Sequence, residues 1–137
     1  MTGGCLCGGV RFELDEPPIS ARYCHCERCQ RRTGTSASAS AQIVPGSLRL
    51  TSGENLVKDY NPGDGGHVKV FCSSCGSALW SRDPEHPERI AVRMGSFDGD
   101  PGVRPSARQF VAYAAVWEPI PNDGLARFPE RRPPDVS

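Results

Sequence analysis

Val68-Lys69-Val70-Phe71-Cys72-Ser73-Ser74-Cys75-Gly76 is a short strand that runs directly into a thiol-bearing turn. Val68 and Val70 flank Lys69, the period-two pattern of a strand with one buried face. Cys72 and Cys75 stand three apart with a glycine behind them, a spacing at which two thiolates meet one metal ion. Gly76 accepts a positive φ, which lets backbone N–H groups turn toward sulfur. A second close pair, Cys5-Leu6-Cys7, lies near the start of the chain and is followed by Gly8 and Gly9. On an extended strand residues two apart point the same way, so both of these sulfurs are expected to reach one ion. Joining the two pairs closes a long loop, which gives Cys5, Cys7, Cys72 and Cys75 the character of a structural zinc site.

The other three thiols fall in Cys24-His25-Cys26-Glu27-Arg28-Cys29, and with them the chain's seven cysteines are all placed. An odd number of thiols suits disulfides poorly, and no apolar leader opens the sequence, so a reducing, cytoplasmic setting is expected. Two zinc ions divide seven thiolates as four plus three. Four thiolates close a structural site, whereas three leave one coordination position for water or substrate. A remote residue such as His67 or Asp98 would instead close the second site. His25, between two ligands on an expected strand, should face away from them as a hydrogen-bonded imidazole. Arg28, Arg31 and Arg32 surround this cluster. Arg31 and Arg32 are candidates to dock the carboxylates of an anionic thiol; the alternative is a solvated charged turn. The small residues from Gly34 to Ala41 leave room for a substrate or form a tightly packed strand.

The composition frames these sites. The 137 residues suit one domain, expected over 1–128, with a frayed, charged, proline-bearing tail over 129–137. Acidic and basic residues balance at 16 each, which points away from nucleic acid. Apolar runs are far too short to span a membrane. Fifteen glycines and thirteen prolines punctuate the chain, and no long amphipathic helix fits between them. Alternation at Val10/Phe12/Leu14, Leu48/Leu50, Val68/Val70 and Ile90/Val92/Met94 predicts an all-β protein of short antiparallel strands with long loops. An edge strand in such a domain offers a surface for a homodimer.

Taken in order, these segments resemble the glutathione-dependent formaldehyde-activating enzyme family, which includes the centromere protein V relatives. The resemblance rests on Gly4 to Phe12, Cys24 to Arg31, Thr51-Ser52-Gly53-Glu54, Phe71 to Gly76 and Trp117-Glu118-Pro119-Ile120-Pro121. It implies a zinc-clipped β-sandwich or tent-like pair of sheets with two Zn²⁺ per chain. Cys5, Cys7, Cys72 and Cys75 would hold the structural ion, and Cys24, Cys26 and Cys29 the ion with an open position. It further implies a carbon–sulfur lyase that joins glutathione to formaldehyde as S-hydroxymethylglutathione, or runs that step in reverse. A general acid is not assigned by the residues, His67 and Glu54 being candidates. Relatives carry a histidine after the Arg-Pro step where this chain reads Arg104-Pro105-Ser106-Ala107-Arg108. Two other classes compete with the lyase: a non-catalytic zinc-binding interaction module, and a thiol redox or metal-buffering protein.

Overall fold

The computed structural model describes residues 1–133. Within them the chain forms two sheets, one short α-helix and three single-turn 3-10 helices. The smaller sheet is antiparallel and has the order β1 (Thr2–Gly4), β2 (Arg11–Leu14), β5 (Leu48–Ser52). The larger contains β3 (Ser20–Cys24), β4 (Ser38–Gln42), β6 (Val57–Tyr60), β7 (Val68–Cys72) and β8 (Ala78–Arg82), with β9 (Ile90–Arg93), β10 (Pro105–Gln109) and β11 (Ala126–Arg127). Its order is β11-β10-β3-β4-β9-β8-β7-β6, antiparallel throughout except that β10 runs parallel to both β3 and β11. The all-β expectation holds, and the alternating segments read from the sequence fall in β2, β5, β7 and β9, except that Val10 lies just before β2 and Met94 opens a 3-10 turn after β9.

Strand register explains where the core lies. Val70, Trp80, Val92, Ala41 and Ala21 form one continuous row across β7, β8, β9, β4 and β3. All five are buried, and Phe12 and Leu14 of β2 pack on the same cluster. Phe12 meets Trp80 and Phe97 edge-on, with ring centroids 6.2 and 6.0 Å apart, an arrangement that adds quadrupole attraction to area burial. Because the side-chain period is two, the next residues along these strands face away from the core. They form two polar rows, Arg22–Ser40–Arg93 and Lys69–Ser81–Ala91. This second face is the floor of the cavity described below.

The helix α1 (Glu27–Thr33) follows β3 after a two-residue turn. Cys26 is its N-cap, its sulfur accepting from the Cys29 amide at 3.3 Å, and Gly34 at φ 71° ends it in the left-handed region. Two segments differ from their expected form. Cys5 and Cys7 lie in the β1–β2 turn rather than on a strand, because Gly8 at φ 76° lets its amide bond back to the Cys5 carbonyl. Residues 129–133, expected to fray, are anchored: Phe110 and Ala112 donate to the Glu130 and Pro129 carbonyls, and the Arg132 amide donates to Gln109 Oε1. Arg132 is buried there, with Ser20 and Ser106 beside its guanidinium. The rest of that expected tail lies outside the described residues. Among the described residues no helix is long and apolar enough to cross a membrane.

Candidate metal centres and the adjoining cavity

Two loops bring the first and last cysteine pairs together. Cys5, Cys7, Cys72 and Cys75 place their sulfurs within 4.8 Å of one another, with Cys5–Cys7 at 3.5 Å and Cys7–Cys72 at 3.9 Å. A tetrahedron with Zn–S bonds of about 2.3 Å has S···S edges of about 3.8 Å, and these two separations lie close to that length. The turn supports this set as the sequence suggests. Gly76 takes φ 77° and its amide donates to the Cys72 carbonyl, while the Val10 amide donates to Cys5 Sγ at 3.2 Å. Ser77 Oγ, 3.2 Å from Cys75 Sγ, is the first of several contacts that draw that thiol down to about 5. The Gly9 amide favours ionisation of Cys7, but the neighbouring thiols, Cys5 first, push it up to about 11. Four thiols this close cannot all ionise on their own; a divalent cation removes that conflict.

The second cluster is local. Cys24 ends β3, Cys26 caps α1 and Cys29 sits one turn into it, and their sulfurs also lie within 4.8 Å of one another. Hydrogen bonds from Cys24 and Cys26 hold the Cys29 thiol far below its ordinary value, and the same contacts, with Cys26 first, drive Cys24 far above it. Among the described residues no fourth ligating side chain joins this set. Asp98 is elsewhere, paired with Arg11 and Thr2, and His67 lines the cavity without entering the cluster. His25 is buried and its Nε2 lies 3.1 Å from Arg108 Nη1. Arginine only donates, so Nε2 accepts; burial and Arg108 keep this imidazole neutral. Arg108 itself stacks on Tyr23 at 4.3 Å and pairs with Asp123 at 2.8 Å. It is thus the pin that joins β10 to the segment behind the cluster.

The three thiols open into a cavity of about 490 Å³. Its floor is the polar face of the larger sheet, and α1, Phe110, Tyr113 and Arg131 form its walls. Phe110 is held at φ 57°, the single non-glycine residue in the left-handed region among those described, a conformation stored where the structure over-determines it. Arg22, Lys69, Arg93 and Arg131 line the cavity, and none makes a salt bridge among the described residues. Burial lowers the pKa values of Arg22 and Lys69, and other cations add to the effect. The cations expected from the sequence lie elsewhere. Arg31 and Arg32 are absent from the lining; Arg32 lies over the Phe71 ring, 5.4 Å from its centroid, with Nη2 buried and lacking a partner. Arg28 lines the cavity but is occupied by Asp64. Burial, then Arg131, lowers His67 to about 4, and Glu54 is exposed and outside the cavity.

Comparison with known proteins gives this arrangement a context. A crystal structure of a Rhodobacter sphaeroides protein shares the fold, with a TM-score of 0.61 at 24% identity over 93% of this chain and 99% of that one. A Halomonas elongata protein assigned by name to glutathione-dependent formaldehyde activation is 30% identical over 109 residues, or 73% of this chain and 67% of the relative. The family model "Glutathione-dependent formaldehyde-activating enzyme" matches residues 1–113, which include all seven thiols and the strands that carry them. The chain belongs to the glutathione-dependent formaldehyde-activating enzyme family.

Proposed function

We propose that this protein is a zinc-dependent carbon–sulfur lyase that makes or breaks the adduct of a small, glutathione-like thiol with formaldehyde or a similar electrophile. The observation that carries this reading is the three-thiol cluster of Cys24, Cys26 and Cys29, short of one ligand among the described residues and open to a cavity. Cys5, Cys7, Cys72 and Cys75 are its structural counterpart. Cys24, Cys26 and Cys29 would hold the zinc ion, which when bound would lower the pKa of a thiol taking the remaining position toward neutrality.

The chain's own groups do the rest. Arg22, Lys69 and Arg93 orient an anionic thiol along the cavity floor, which converts an encounter in solution into a positioned one. Ser38 and Ser40, small residues on β4, leave space beside the cluster for the aldehyde. In the forward direction a bond forms between thiol sulfur and aldehyde carbon as the C=O π bond breaks, its electron pair moving to oxygen. The carbonyl oxygen takes up a proton, and the thiol proton is released. The reverse step breaks the same bond and returns both protons, with no net oxidation. At neutral pH His67 is neutral, its Nε2 facing Arg131 Nη1 at 3.4 Å, which suits it to fixing that arginine rather than to donating from Nε2.

The test pairs metal content with adduct formation. The wild type should hold two zinc ions and accelerate formation of the hydroxymethyl thioether from ¹³C-formaldehyde and glutathione, followed by NMR. Cys26→Ser should remain folded, hold one zinc and lose the acceleration. A Cys26→Ser protein that keeps two zinc ions and full rate would remove the basis for the reading.

A further inference from the structure

The cavity carries more positive charge than glutathione needs, and the charge is spread out. Arg22, Lys69 and Arg93 stand on β3, β7 and β9, and Arg131 adds a fourth cation at the wall. From β3 to β7 the sheet order crosses four strand spacings, roughly 19 Å at about 4.8 Å each. Their side chains converge on the cavity from these separate strands, and among the described residues none of the four is neutralised by a carboxylate, more charge than one ligand carboxylate offsets. Arg93 meets only the Ser40 hydroxyl, at 2.9 Å. The half-buried Arg32, whose charge is felt together with that of Arg93, leaves its buried Nη2 unpartnered among the described residues. A second cavity of about 280 Å³ shares Arg22, His67 and Arg131 with the first and adds Arg89 and Arg132. The carboxylates nearby are committed or peripheral. Asp64 lines the first cavity but pairs with Arg28, Asp83 lines the second but accepts from the Glu85 and His86 amides of its own loop, and Glu27 lines the first cavity from an exposed position.

Glutathione bears two carboxylates but also an ammonium group, and on the cavity floor that ammonium meets four cations and a few hydroxyls, with no carboxylate free to pair with it except the exposed Glu27 at the rim. Resting on the open-site reading above, we propose that the preferred thiol of this site carries two or more carboxylates and no ammonium, its anions seated on Arg22, Lys69, Arg93 and Arg131. These four are specificity-determining residues for the thiol. The Arg22–Ser40–Arg93 row receives the carboxylate nearer the sulfur, and Arg131, reached through the shared wall, receives the distal one.

The experiment is calorimetric binding to the zinc-loaded protein, so it reads affinity rather than turnover. Its ligands are glutathione; glutaryl-cysteinylglycine, which is glutathione with hydrogen in place of the ammonium; and the S-methyl form of each. Glutaryl-cysteinylglycine should bind about tenfold more tightly than glutathione, the scale of one unfavourable buried charge contact. Lys69→Met and Arg93→Met should each lower its affinity by about tenfold and narrow the gap between the two thiols. Raised salt should narrow that gap as well. Equal or tighter binding of glutathione overturns the proposal, as does a Glu27→Gln variant that loses glutathione affinity selectively, since Glu27 would then be the ammonium's partner. If the S-methyl forms bind as tightly as the free thiols while the tenfold preference persists, the open metal position fails and the polyanion site stands.

Discussion

Replacing Cys72 with serine tests the division of labour between the two thiol clusters. Cys72 is fully buried, and Cys7 and Cys72, whose sulfurs are 3.9 Å apart, are separated by 65 positions in the chain. A crosslink that closes a loop of that length removes about 4 kcal/mol of unfolded-state entropy on the chain-entropy estimate. The cluster at 24–29 ties together neighbours within one turn, and the same estimate gives roughly 2 kcal/mol. A small domain has only about 5–15 kcal/mol to lose. Serine keeps the size of the side chain but not a thiolate, so Cys72→Ser should release the first ion and cost at least the loop term. With a urea slope of about 2 kcal/mol/M, that moves the midpoint down by roughly 2 M, far enough to leave much of the protein unfolded or aggregated. Cys26→Ser should lose at most half as much. Urea titrations followed by circular dichroism, with zinc measured on the same samples, decide the matter. Equal midpoints for the two variants, or a Cys72→Ser protein as stable as the wild type, would refute the assignment of the four-thiol set as the structural one.

Two further outcomes follow from backbone geometry and from burial. Gly53 sits at φ 81°, and a Cβ there would collide with the Gly9 carbonyl and Val10 Cα behind the thiol turn, so Gly53→Ala should destabilise by more than about 1 kcal/mol in thermal unfolding, whereas Gly46→Ala, at φ 83° with open space, should pay conformational strain alone. Burial, with Arg131 second, holds His67 at about 4 against an unfolded value near 6.5, so between these values the unfolded chain binds the extra proton and stability must fall as pH drops from about 6.5 to about 4. His67→Gln should flatten that part of the stability–pH curve; an unchanged curve would show that His67 titrates alike in both states.

How much of this was legible follows from which interactions are local. Cysteine spacing shows directly which sulfurs can meet, because Cys72 and Cys75 stand three positions apart and Cys5 and Cys7 two, too close for their sulfurs to be carried far from one another. That is why Cys5 and Cys7 meet even though they occupy a turn and not the expected strand. The Thr51-Ser52-Gly53-Glu54 segment could be recognised but not explained from sequence, since its glycine is required by the approach of Gly9, more than forty positions away. The cations of the cavity were harder still. Lys69 and Arg22 alternate with buried residues and so read as the solvent face of ordinary strands, and nothing local tells that α1 and residues 110–133 roof that face. Arg31 and Arg32 lie beside the thiols in sequence. A helix turns residues 100° apart, however, so Arg32 leaves the cluster and rests on Phe71, while Arg22, two residues before Cys24 on the same strand, shares its face. On a strand, the neighbours of a ligand in function are two positions away, and here the ligand set begins on a strand and ends on a helix. The charge lining the cavity accordingly follows the strand side, upstream of Cys24, and the sheet register carries it from there to Arg93 and Lys69.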